Sequence, residues 1–205
     1  RMITLYGMGS PNVVKVLLML EELGLPYGFQ RCDVILGEQH EPAFRALSPN
    51  GKVPVLVDEV ASGPIAESGA ILIYLAEKAG RFLPDQGRYE VLQWLMWQMA
   101  GIGPMFGQAG HFTLYAKQQV PYGIERYSNE ATRLLGVMDK RLGESTYLAG
   151  EEYTIADIAV FPWTNSAERI PTVRSFDPWP QVVRWRALLN GRPAVQRGLN
   201  APRRA

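Results

Sequence analysis

The hydrophobic periodicity of this chain changes once, and that change constrains the fold more than any other feature. Up to about Ala79 short β-rich runs alternate with helix-spaced segments, and from Arg88 onward only helical spacing remains. A chain that alternates strand and helix must build a helix-covered sheet, whereas a helices-only stretch must pack on itself, so the pattern predicts α/β followed by all-α. Met2-Ile3-Thr4-Leu5-Tyr6 reads as a strand broken by Gly7 and Gly9. Ser10-Pro11 supplies an N-cap and a first-position proline, and Val13, Val16, Leu17 and Leu20 continue the helix to Gly24. Tyr27 to Val34 reads as a second strand and Pro42 to Leu47 as a short helix. Val53-Pro54-Val55-Leu56-Val57 is a third, β-rich run whose proline marks an edge or a strand entry, with the X–Pro bond open to the cis form. Pro64-Ile65-Ala66 is a last short strand before a helix carrying Ile71, Leu72, Leu75 and Ala76, giving the order βαβαββα.

The connection Phe82-Leu83-Pro84-Asp85-Gln86-Gly87 separates this part, residues 1–81, from a helical part, residues 88–205. There Leu92, Leu95, Met96 and Met99 are expected on one face, and Ile124, Tyr127, Ala131, Leu134, Leu135, Met138 and Leu142 on another. Thr154-Ile155-Ala156-Asp157 opens a further helix with a hydroxyl cap and an acid three residues on.

Twenty-one basic and 20 acidic side chains nearly cancel, which argues against the one-signed surface that nucleic acids or anionic membranes select. The Arg203-Arg204 pair reads as a solvated tail. A single cysteine, Cys32, excludes an intrachain disulfide and a CxxC pair, so any thiol chemistry must use a thiol carried by the ligand. Cys32 itself reads as a small buried apolar residue. His40 and His111 lack companions for a metal site, and none is expected. No apolar run reaches the roughly 18 residues of a membrane span, and no signal sequence opens the chain, so a cytoplasmic protein is expected, with Met2 its natural start.

Four motifs fall in a recognisable order: Ser10-Pro11-Asn12 at the first helix, Ser48-Pro49-Asn50-Gly51-Lys52-Val53-Pro54 before the third strand, Glu67-Ser68-Gly69-Ala70-Ile71 at the next helix, and Thr154-Ile155-Ala156-Asp157 in the helical part. Over its whole length the chain resembles the glutathione transferase superfamily. Trp94-Leu95-Met96-Trp97-Gln98, Gly103-Pro104-Met105-Phe106-Gly107-Gln108 and Pro121-Tyr122-Gly123-Ile124-Glu125-Arg126-Tyr127 are most similar to the bacterial Nu class, which reduces disulfides with glutathione. Where that class has Thr-Pro-Asn-Gly, this chain has Ser10-Pro11-Asn12-Val13, keeping the hydroxyl and losing its methyl.

The resemblance implies a thioredoxin-like glutathione-binding domain over residues 1–81, an all-helical bundle over 88–205, and a homodimer. Glutathione, as co-substrate, presents two carboxylates, an ammonium and a thiol. Glu67 is expected to take the ammonium, while Ser68 and the amides of a helix start take a carboxylate. Val53 before a cis proline is expected to pair its backbone with the cysteinyl residue, as in the family, and Gln39 and Lys52 to meet the glycyl carboxylate. Arg126 matches an arginine that reaches glutathione. The thiol must ionise: lowering a cysteine-like pKa near 8.5 by about two units takes roughly 2.7 kcal/mol. Ser10 and Asn12 are the expected catalytic donors, with Tyr6 the rival that other classes of the family use. Trp97, Met105, Phe106, Phe112 and Tyr115 are either core or the lining of a second-substrate pocket. The expected activity is disulfide-bond reduction by bound glutathione thiolate. Conjugation to electrophiles is the alternative, and a non-catalytic module that binds a protein partner comes third.

Overall fold

The structure, a computed structural model, describes residues 2–173 and 175–201, so Arg1 and the Arg203-Arg204 pair lie outside it. One unit gathers the described residues up to Arg81 and those from Arg192 on; the other spans Phe82–Gly191.

In the first unit the elements are β1 (Ile3–Gly7), α1 (Pro11–Leu23), β2 (Tyr27–Arg31), α2 (Pro42–Leu47), β3 (Val55–Asp58), β4 (Ile65–Ala66) and α3 (Ser68–Ala79), the expected βαβαββα order. The sheet runs β2-β1-β3-β4, with β1 parallel to β2, antiparallel to β3, and β3 antiparallel to β4. This is the thioredoxin-like arrangement. The first strand runs one residue past the expected Tyr6 because Gly7 still pairs with Arg31. The second stops short of the expected Val34, since Asp33 Oδ1 accepts from the Ile35 and Leu36 N–H groups at 2.9 and 3.3 Å and turns the chain. A single 3₁₀ turn at Glu38–His40 precedes α2.

Helix α1 has Val13 and every residue from Lys15 to Leu20 buried, so it is enclosed on all sides rather than amphipathic. The chain from Arg192, which sequence alone groups with the helical part, belongs to this unit: α9 (Pro193–Asn200) packs on α1. Arg192 and Arg197 meet Glu22 and Glu21 with closest N–O distances of 2.6 and 2.7 Å. The two helices touch closely at Gly198, where an added Cβ would stand 2.7 Å from Leu18 Cδ2 and 3.0 Å from Leu18 Cα. Because backbone blocks relaxation, Gly198→Ala is expected to cost about 1–3 kcal/mol, measured as a lower urea midpoint at unchanged slope.

The second unit contains α4 (Arg88–Trp97), α5 (Gly103–Gly110), α6 (Pro121–Glu144), α7 (Ile155–Ala167) and α8 (Pro180–Asn190), with π-helical turns at Gln98–Ile102 and His111–Tyr115. The inner face of α4 is Val91, Trp94 and Leu95, continued by Gln98, whereas Met96 is exposed. That corrects the expected Leu92-Leu95-Met96-Met99 stripe: the large Trp94 ring takes the interior, and the wide turn after Trp97 shifts the helical phase. Along α6, Ala131, Leu134, Leu135, Met138 and Leu142 are buried as expected. Thr154 and Asp157 form a complete capping box at α7.

Candidate functional site

Ser10 sits at the N-cap of α1 with extended backbone (φ −121°, ψ 155°), its carbonyl accepting the first helical bond from Val14 N–H at 2.9 Å. Its hydroxyl makes no capping bond. A serine at this position usually turns its oxygen back to the helix amides, so the uncapped hydroxyl is a donor open to a ligand. Pro11 has no N–H, and Asn12 stands half-buried in the first turn. The rival Tyr6 packs its half-buried side chain against the apolar cluster of Cys32, Phe44 and Val55.

Two segments shape the next part. Ser48 Oγ donates to the Lys52 carbonyl at 3.0 Å and accepts from the Lys52 N–H at 3.2 Å, closing the Ser48–Lys52 loop on one side chain. Gly51 completes it in the left-handed region (φ 63°), and an added Cβ there would meet Arg45 Nη1 at 2.5 Å. The loop delivers Lys52 to the surface and leads into a cis Val53–Pro54 bond. Sheet pairing starts only at Val55, leaving the Val53 N–H and C=O outside the ladder. The Gln39 carbonyl oxygen lies 3.4 Å from the point where a Gly51 Cβ would stand, so the 3₁₀ turn and this loop adjoin. Gln39 Nε2 is 3.2 Å from His40 Nε2, while its Oε1 is buried without a hydrogen-bond partner. A buried amide oxygen left this way costs about 1–3 kcal/mol, a deficit that a ligand donor, or rotation of the amide towards a ligand acceptor, would remove.

At the head of α3, Glu67 is the N-cap, a non-glycine residue at φ 66° whose side chain makes no capping bond and is exposed. Such a backbone conformation is uncommon outside glycine and concentrates at ligand clamps. Ser68 is the first helical residue and is buried. Beneath it lies a residue that sequence reading missed. Lys15 of α1 is 1% exposed, and its Nζ is 3.1 Å from Ser68 Oγ. Burial lowers its pKa to about 7, with the Glu67 carboxylate pulling the other way. The available signal was its place in Val13-Val14-Lys15-Val16-Leu17, a helix apolar on every side, where any side chain at that position must go inward.

The first unit therefore holds Ser10, Asn12, Gln39, Lys52, Val53, Glu67 and Ser68. Arg126 belongs to the second unit, exposed on α6, where its charge helps lower the pKa of Glu130, whose main partner is Arg133. Phe106 is core, Phe112 stacks on Tyr127 with centroids 5.3 Å apart, Trp97 and Met105 are half-buried, and Tyr115 is exposed. Cys32 is buried; desolvation first, then the carboxylates of Glu38, Glu41 and Asp33, raise its pKa, so it is a poor thiolate. Among the described residues no three His, Cys, Asp or Glu side chains group so as to hold a metal ion, and no helix is long and apolar enough to cross a membrane.

The model of the glutathione S-transferase N-terminal domain matches residues 5–84, and that of the C-terminal domain residues 104–193. The chain is 45% identical to the disulfide-bond oxidoreductase YfcG of Escherichia coli, covering 97% of this chain and 94% of that one. It is 40% identical to the disulfide-bond oxidoreductase YghU of the same organism, over 95% and 73% of the two. Among solved structures, a glutathione transferase from Burkholderia graminis with two glutathione molecules per subunit superposes with a TM-score of 0.93 at 44% identity, over 99% of this chain and 89% of that one. One from Pseudomonas putida with a glutathione disulfide per subunit gives 0.93 at 44%, over 98% and 91%.

Proposed function

Because the chain belongs to the glutathione S-transferase family, we propose that it is an enzyme reducing small disulfides with glutathione, whose thiolate is the nucleophile. One combination carries this reading: a hydroxyl N-cap that does no capping, Ser10, in a chain whose lone cysteine is buried and hard to ionise. The reacting sulfur then comes from the substrate. Ser10, Asn12 and the start of α1 stabilise the anion, each charge-assisted bond contributing about 1.5–3 kcal/mol. Glu67 takes the ammonium, Ser68 with the α3 amides the γ-glutamyl carboxylate, the Val53 backbone the cysteinyl residue, and Gln39 and Lys52 the glycyl carboxylate. Arg126 serves as a further carboxylate contact. The stretch 1–81, with α9 packed on it, is thus assigned as the glutathione-binding domain, and the helices between Arg88 and Gly191 as its companion.

The glutathione thiolate attacks one sulfur of the disulfide; the S–S bond breaks, the expelled thiolate takes a proton from water, and a mixed disulfide remains. A second glutathione thiolate attacks the glutathione sulfur of that intermediate, forming glutathione disulfide and expelling the other half as a thiolate, which takes a proton from water. No protein cysteine is oxidised. The relatives named disulfide-bond oxidoreductase and the neighbours holding two glutathiones or glutathione disulfide support this two-tripeptide sequence. The reading includes a homodimer and a cytoplasmic setting, where glutathione is kept reduced.

The test is turnover of 2-hydroxyethyl disulfide, followed through glutathione reductase, against conjugation of 1-chloro-2,4-dinitrobenzene. Disulfide reduction is expected to be faster in kcat/KM by about tenfold or more, some 1.4 kcal/mol in barrier. The reverse order would make conjugation the main activity.

A further inference from the structure

A lysine normally keeps its ammonium in water even when its stem is covered. Lys15 does not: it is 1% exposed, and its Nζ lies 3.1 Å from Ser68 Oγ at the head of a twelve-residue helix. An ammonium only donates, so its charged form gives a hydrogen bond to the serine oxygen and sets a positive charge one hydroxyl away from the α3 amides. We infer that Lys15 is the buried countercharge of the carboxylate held at the start of α3: acting through Ser68, it gains a proton when the γ-glutamyl end of glutathione arrives and loses it when the ligand leaves. This rests on the reading that Glu67 and Ser68 hold that end, and it makes Lys15 a positioning residue.

The direction follows from opposing effects. Desolvation disfavours the ammonium and brings its pKa to about 7, while Glu67 favours it. The ligand's carboxylate, placed at buried Ser68 one hydroxyl from Nζ, acts in the same sense as Glu67; its ammonium opposes this, but it sits on the solvent-exposed Glu67 side chain where its charge is screened, so binding raises the pKa. The other charged and titratable groups on the elements packed against α1 are engaged elsewhere or face solvent. Lys78 and Tyr74 of α3 bond to Asp58 of β3. Glu77 of α3 is exposed, Tyr6 of β1 lies in its apolar cluster, and Arg192 and Arg197 meet Glu22 and Glu21. By linkage the ligand binds best where Lys15 is already charged, and its affinity falls as pH rises above the free value.

The experiment titrates S-methylglutathione, whose sulfur cannot ionise, into the full chain by calorimetry between pH 6.5 and 8, in buffers of different ionisation enthalpy. Expected are an uptake of about half a proton at pH 7, more at pH 8, and an affinity that falls several-fold over the range, by at most about tenfold per unit. Lys15→Met is expected to bind about tenfold more weakly at pH 6.5, with no proton uptake and a flat profile. Wild-type binding without proton exchange, or an unchanged pH slope in Lys15→Met, overturns the inference. The wild-type measurement stands even if the variant misfolds, which circular dichroism would reveal. Failure of S-methylglutathione to bind, or unchanged affinity in both Ser68→Ala and Glu67→Gln, is a different result: it removes the site reading and the inference with it.

Discussion

Removing both Ser10 and Asn12 side chains (Ser10→Ala with Asn12→Ala) is expected to raise the pKa of bound glutathione by about two units, from about 6.5 back to about 8.5, and so to lower disulfide-reductase kcat/KM at pH 7 by about twenty-five-fold. In the proposed role each side chain supplies a hydrogen bond that exists in full only when the sulfur is an anion, so its loss is expected to fall on the thiolate and not on tripeptide binding. Single variants, each raising the pKa by about one unit, should lie between, at about threefold, with KM for glutathione changing little. Thiolate absorbance near 240 nm, followed against pH, reads the shift directly. Because the Ser10 hydroxyl takes no part in capping α1, Ser10→Ala tests the proposed thiolate contact without removing a helix cap. Tyr6→Phe is the control, since the ring packs against Cys32, Phe44 and Val55. If Ser10→Ala and Asn12→Ala keep a low thiolate pKa while Tyr6→Phe loses it, the catalytic roles belong to Tyr6.

Asp157→Ala is expected to cost the fold about 3–5 kcal/mol, because it strands several buried donors at once. Asp157 Oδ1 accepts from Leu148 N–H at 3.1 Å and Trp185 Nε1–H at 2.8 Å, and Oδ2 accepts from Thr154 N–H at 3.1 Å. It thereby joins the chain before α7, the start of α7 and the fully buried Trp185 of α8. Thermal unfolding should show the loss as a midpoint lower by roughly 6–20 °C, at about 2–4 °C per kcal/mol for a chain of this size. Burial outweighs those hydrogen bonds and raises the Asp157 pKa to about 6. Since the folded value exceeds the unfolded one, the native state binds more protons between pH 4 and 6. From this group, stability is therefore greatest at the acid end of that window and falls as pH rises through it. Asp157→Asn keeps the Oδ1 partners but faces Thr154 N–H with a second donor, so it should be intermediate in stability and lack this pH term. An alanine variant as stable as wild type would remove Asp157 from the joints of the helical unit.

The element order was legible because it depends on local rules. Strand alternation, the Ser10-Pro11 helix start and the end of that helix at Gly24 each act within a few residues, and the structure keeps them all. The capping box at Thr154 and Asp157 was legible for the same reason. The α4 face was not: Met96 and Val91 carry similar hydropathy signals, and the choice between them came from the volume of Trp94 and a wide helical turn further along. Nor was the end of β2, where the Asp33 carboxylate takes the Ile35 and Leu36 N–H groups and turns the chain, although Tyr27 to Val34 reads as one continuous run.

The sequence by itself determined the βαβαββα order, the helical continuation, the presence of a single cysteine, and which residue types stand at the helix starts and before Pro54. Only the tertiary structure decided that Ser10 leaves its helix uncapped, that Gln39 Oε1 is buried unsatisfied, that α9 returns to α1, and that Lys15 meets Ser68 from 53 residues away. The physical reason is range. Backbone preference and capping are set by near neighbours, whereas burial, desolvation and the meeting of a buried ammonium with a distant hydroxyl exist only once helices have packed.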